Sequence, residues 1–135
     1  MNNFVRLGFL PRHIDAGLLV LRVLMGLTLC IRHGWEKVSR FSQMAAHFPD
    51  PLHIGARWTL AFALLSDFVA SLLIVIGLGT RWAALIVAIN TAAAFVFVHK
   101  MSLVGPRNGE LPLLYFAWAL AIILMGAGRY SVDGA

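Results

Sequence analysis

Two charged residues interrupt hydrophobic runs in this chain: Arg22 in the first run and Asp67 in the second. A charge at the centre of a membrane span costs about 2.5–3.5 kcal/mol on insertion scales, so it persists only where it has a partner or a task. At about 1.5 Å of rise per residue, Arg22 sits roughly 10 Å deep from one side and Asp67 about 15 Å deep from the other. In a hydrocarbon core about 30 Å thick, both fall near the middle. The expectation is that Arg22 and Asp67 pair, or share a polar ligand, inside a bundle. The alternative is an ion pair that only sets helix register.

A second group lies at one end. The first run closes on Arg32, His33, Glu36 and Lys37, and the second opens at Arg57. The third closes on His99 and Lys100, and the fourth opens at Glu110. Antiparallel spans bring all of these to one side, whichever side of the membrane that is. Arg22, Leu29, His33 and Glu36 follow at spacings of 7, 4 and 3, which is one face of an α-helix. Thr91, Phe95 and His99 form a similar stripe on the third run.

Imidazoles and carboxylates in such a group are suited to passing protons, because His titrates near neutral pH. The competing explanation is ordinary polarity where spans leave the bilayer. No metal is expected, because no HxxxH spacing on one helix supports a metal site. Glu110 precedes Leu111 and Pro112. A proline in the first turn and a carboxylate at the positive end of the helix dipole explain part of its presence as capping.

These residues must be held by membrane helices. The chain of 135 residues is 60% hydrophobic and only 13% charged, with mean hydropathy +0.82. A soluble domain is roughly 45–50% apolar and about 25% charged. The fold expected is all-α, an integral membrane four-helix bundle forming one transmembrane domain over residues 1–135. Its spans lie at about 16–33, 57–78, 82–99 and 110–127.

Gly79, Thr80 and Arg81 make a tight turn between spans two and three, which forces a helix hairpin. Between spans one and two, Val38, Phe41, Met44, Ala45 and Phe48 recur at helical spacing. They predict a short amphipathic helix lying at the interface, stopped by Pro49-Asp50-Pro51. Trp35, Trp58, Trp82, Trp118, Tyr115 and Tyr130 are expected in the interfacial aromatic belt.

The net charge of +5 comes from basic residues scattered at span ends, which suits anionic lipid head groups better than nucleic acid. Lys and Arg divide evenly between the two sides, and both termini are expected inside. The lone Cys30 excludes a self-contained dithiol cycle and is expected as a small apolar helix residue. The first run contains Arg22 and no convincing small-residue cleavage site follows it, so it is expected as a retained span.

The same residues carry a resemblance to the DoxX family of small four-span membrane proteins. Its pieces are Leu21-Arg22 with Gly26, then His33-Gly34-Trp35-Glu36-Lys37, and an acidic residue in span two. Gly77-Leu78-Gly79-Thr80-Arg81, His99, Gly109-Glu110 and the tail Gly126 to Asp133 follow in order. The family usually has Glu where this chain has Asp67, which shortens the side chain. It often has a glycine pair where Ala70-Ser71 stand, and Leu where Val132 stands.

The resemblance implies a bacterial-type inner-membrane protein of a redox system, similar to the membrane subunit of a thiosulfate:quinone oxidoreductase or to members of thiol-stress complexes. On that basis Arg22 and Asp67 would meet the head of a quinone. His33, Glu36, Lys37, His99 and Glu110 would line the entrance and pass protons. No haem, cysteine-cluster or nucleotide motif is present, so electrons would come from a partner protein or from the ligand. Two other readings stand beside this one: a non-catalytic adaptor anchoring a partner enzyme, and a small-molecule carrier acting as a homo-oligomer.

Overall fold

The computed structural model describes residues 2–134, and among these there are helices and no strands. Four helices are long and apolar enough to cross a membrane. The first, α1, runs over Ile14–Ser39. A short helix α2 follows at Phe41–Ala45, then α3 over Ala56–Ile76, α4 over Thr80–Val98 and α5 over Glu110–Met125. The chain is therefore a multi-pass membrane protein in contact with lipid. Large apolar side chains such as Leu24, Trp58, Trp82 and Leu124 face outward, where lipid covers them.

The first span extends further than its apolar run. Trp35–Ser39 continues the same helix, and only the break at Arg40 ends it. The amphipathic segment is correspondingly short. In α2, Phe41, Met44 and Ala45 are half-buried while Ser42 and Gln43 are exposed. Asp50 then organises the entry to α3. Its carboxylate accepts hydrogen bonds from the backbone N–H of Gly55 (2.8 Å) and Ile54 (3.2 Å) and from the Thr59 hydroxyl (2.9 Å). Partial desolvation works to raise the Asp50 pKa, but these bonds outweigh it and hold the carboxyl below its ordinary value.

The hairpin between α3 and α4 closes by a local device. Gly77 adopts φ +76°, its N–H reaches Leu73 O at 2.8 Å, and the N–H of Leu78 reaches the same carbonyl at 2.9 Å. This is a left-handed glycine stop, which a residue bearing Cβ would strain. The tail folds back beneath the turn. Asp133 accepts from the N–H groups of Thr80 (2.8 Å) and Gly79 (2.9 Å), so a carboxylate from the far end of the chain caps α4. The bond from the Thr80 N–H is the leading cause holding the Asp133 carboxyl below its ordinary value.

The core is small-residue rich. Ala70, Ala83, Ala84, Ala88 and Ala119 pack with Leu29, Ile74, Val87 and Ile122. Alanines let helix backbones approach closely, which is how membrane bundles gain packing energy without a hydrophobic drive between spans. Span one meets span two, α3, the same way. A Cβ placed on Gly26 would come within 2.6 Å of the Val75 side chain, and one on Gly34 within 2.5 Å of the Asp67 carbonyl oxygen.

Candidate functional site

Three of the four long helices carry a π-helical turn: Cys30–Gly34 in α1, Leu65–Ala70 in α3 and Ala94–Val98 in α4. Such turns hold one residue more than an α-turn and recur at functional sites. The turns in α1 and α3 lie against each other at the Gly34–Asp67 contact. The turn in α4 directly precedes His99.

The turn in α1 decides which charge enters the bundle. In a regular helix Glu36 would share a face with Leu29 and His33. The extra residue rotates everything after it by about 100°. Lys37 is therefore buried at 8% exposure and Glu36 is exposed. The Lys37 ammonium lies 2.7 Å from Asp67 Oδ2 and also donates to the His33 carbonyl at 3.2 Å.

Asp67 is the hub of this end. Its Oδ1 accepts from the Ser66 hydroxyl and from the Asn90 amide, each at 3.2 Å. The expected Arg22–Asp67 pair is not formed. Arg22 is fully buried, but its Nη1 donates to the carbonyls of Ile74 (3.1 Å) and Val75 (2.9 Å), and its Nη2 donates to the Tyr130 carbonyl. Those are carbonyls at the end of α3 and in the tail, seven or eight residues from Asp67 along α3, or about 10–12 Å along the axis. Depth counted from each span's own end missed this offset. Arg22 ties the last turn of α3 to the tail, and Asp67 has Lys37 as its counter-ion.

Beside the ion pair lies a cavity of about 350 Å³. Span α1 gives it Leu29, His33 and Lys37, and α3 gives Ala63 and Asp67. Span α4 contributes Asn90, Thr91 and Ala94, with His99 following. Tyr115, Leu111 and Pro112 of α5 close it, with Phe48 and Asn108 from the loops. The His33 and Tyr115 rings meet edge-on across it, 5.8 Å between centroids at 84°.

Of the expected site residues, the structure gathers Lys37, Asp67, His33 and His99 around this cavity. It leaves Arg22 at the opposite end. Glu36 and Glu110 are exposed and do not line it. The backbone N–H of Glu110 is capped by Asn108 Oδ1 at 2.9 Å, in keeping with a helix start. Among the described residues, no three His, Cys, Asp or Glu side chains cluster as a metal site would require.

Tyr115 and Trp118 were expected at the membrane interface but are buried, at 4% and 6% exposure, stacked edge-on at 6.4 Å. Their spacing on α5 from Pro112 (three and six residues) was the available sign that they share its inner face. Trp35, Trp58, Trp82 and Tyr130 are exposed, as an aromatic belt requires.

These features define a helical membrane protein with a cavity between its spans, lined in part by a buried Lys37–Asp67 ion pair. The chain belongs to the DoxX family, whose family model matches residues 17–100. That region holds Lys37, Asp67, Asn90 and His99, while Tyr115 and the tail lie beyond it. A relative from Haemophilus influenzae, described as an uncharacterized protein, is 29% identical over 104 residues, 73% of this chain and 68% of its own. A second from the same organism, described in the same words, is 39% identical over 72 residues, 50% of this chain and 54% of its own. The chain thus matches about half the length of the second relative. No solved structure matches.

Proposed function

We propose that this protein is a subunit of a quinone-linked redox system in a bacterial-type inner membrane, with both termini cytoplasmic. It would hold the polar head of a quinone or a similar amphipathic molecule in the cavity beside Lys37 and Asp67. Electrons would be exchanged through a partner protein, since this chain carries no motif for a redox group of its own.

The observation that supports this reading is the cavity itself. Its volume lies at the lower end of the roughly 300–1,000 Å³ typical of small-molecule sites. That suits a single ring, with any isoprenoid chain left in lipid. Apolar walls from Leu29, Ala63 and Ala94 and a few convergent polar groups are the usual make-up of such a site. A buried ion pair with room beside it is also a costly arrangement for packing alone.

The test is mass spectrometry of organic extracts from the purified protein, beside a Lys37→Met/Asp67→Leu variant of matched helicity. A stoichiometric quinone or related amphiphile present in the first and absent in the second is the expected result. Absence from both sinks the tight-site reading and leaves a non-catalytic adaptor as the better account.

A further inference from the structure

A second groove, of about 500 Å³, lies at the opposite end of the bundle from the Lys37–Asp67 cavity. It runs between the first turn of α4 and the last turn of α5. Thr80, Arg81, Trp82 and the tail's Asp133 line its rim. Leu85, one turn further along α4, and Ile123 of α5 line its apolar part. The outward-facing Trp82 sets the rim at the level of the lipid head groups, which leaves Leu85 and Ile123 to acyl chains.

Two unlike charges border this groove without pairing. The ion pair among the described residues is Lys37–Asp67, at the far end. Arg81 is exposed, and its Nε donates to the Ile123 carbonyl at 2.7 Å, which fixes the guanidinium against α5. Its Nη groups have no partner among the described residues. Asp133 is fixed as well. One oxygen accepts from the Gly79 N–H (2.9 Å) and the other from the Thr80 N–H (2.8 Å), so about two of its four acceptor positions remain. The buried Thr80 hydroxyl faces the same carboxylate without completing a hydrogen bond. A buried hydroxyl left without a partner is unfavourable for packing alone.

We propose that this groove is a site for a phospholipid whose zwitterionic head group ends in a primary amine, the phosphatidylethanolamine class. The phosphate accepts from the Arg81 Nη groups, which a planar guanidinium can supply as two parallel bonds. The ammonium, two carbons from the phosphate, donates to Asp133, with the Thr80 oxygen as a second acceptor. The acyl chains pass Leu85 and Ile123 into the bilayer. A choline head group has no N–H to donate and leaves both acceptors unmatched. A glycerol head group brings net negative charge beside Asp133 and no cation to meet it.

The experiment is native mass spectrometry of the whole protein in detergent, titrated with dioleoyl phosphatidylethanolamine, phosphatidylcholine or phosphatidylglycerol. The chains are identical, so the head group alone separates the three. Phosphatidylethanolamine binds at least about threefold tighter than either of the others. Asp133→Asn, in protein of unchanged helicity, removes that preference. Arg81→Gln weakens phosphatidylethanolamine at least about threefold. Its position is exposed and outside the α4 cap, so it decides the matter even where Asp133→Asn fails to fold. Equal binding of the three lipids, or retention of none, overturns the proposal. Tightest binding of phosphatidylglycerol overturns it too, because Arg81 would then be a bare anion site. So does a preference that survives Asp133→Asn, or a phosphatidylethanolamine affinity unmoved by Arg81→Gln.

Discussion

A double-mutant cycle separates the charge pairing seen here from the one that depth counting suggests. Asp67→Leu leaves the Lys37 ammonium inside the bundle without its counter-ion. Removing one partner of a buried pair costs about 3–5 kcal/mol, because the remaining charge stays desolvated. Lys37→Met/Asp67→Leu replaces both with apolar groups of similar bulk, a change that is often neutral or stabilising. The double variant is therefore expected to be no less stable than either single one, which makes the interaction energy at least about 3 kcal/mol.

Arg22 serves as the control. It bonds carbonyls about 10–12 Å along the axis from Asp67 and shares no partner with it. Arg22→Leu and Asp67→Ala should add to within about 0.5 kcal/mol. The assay is reversible unfolding in mixed micelles titrated with sodium dodecyl sulfate, followed by helicity. An additive Lys37/Asp67 cycle alongside a coupled Arg22/Asp67 cycle would refute the reasoning, since it would exchange the roles of the two cations.

Three further outcomes are expected. Deleting the outward-facing Ile31 should convert the π-turn of α1 to an α-turn and keep Lys37 inside. Inserting one alanine there should rotate Lys37 by about 100° and abolish its coupling to Asp67 in the same unfolding cycle. Gly34→Ala should destabilise by about 1–3 kcal/mol, because its Cβ would meet the Asp67 carbonyl oxygen, which is backbone and cannot swing aside. The Asp133 carboxyl is held below its ordinary value by the Thr80 N–H, so its contribution is complete above the unfolded pKa and is lost as pH falls through the folded one. Asp133→Asn should therefore flatten the acid limb of a melting-temperature profile taken from neutral pH to about pH 3.

Four spans, the glycine turn between the second and third, the proline stop and the polar end of the bundle were all legible in the residues. Each depends on local quantities: apolar length, helical period, and the conformations open to glycine and proline. His33, Lys37, Asp67 and His99 could be assigned to the site for the same reason, because they lie where spans end or where an apolar run is broken.

Which charge meets which was not a local matter. Glu36 and Lys37 are neighbours, and an unbroken α-helix points the carboxylate inward. One extra residue in the turn at Cys30–Gly34 points the ammonium inward instead, and nothing in the hydrophobic period marks that turn. Arg22 and Asp67 have similar depths when each is counted from its own end. The axial offset of α1 against α3 parts them and hands Arg22 the last carbonyls of α3. Tyr115 reads as an interfacial aromatic by type and position, yet the rotation of α5 against α4 turns it into the cavity. Sequence alone settled that there are four spans and roughly where they lie, although the first runs on to Ser39, beyond its apolar run. Their relative rotation and offset, which determine every partner in the site, arise only when four helices pack together.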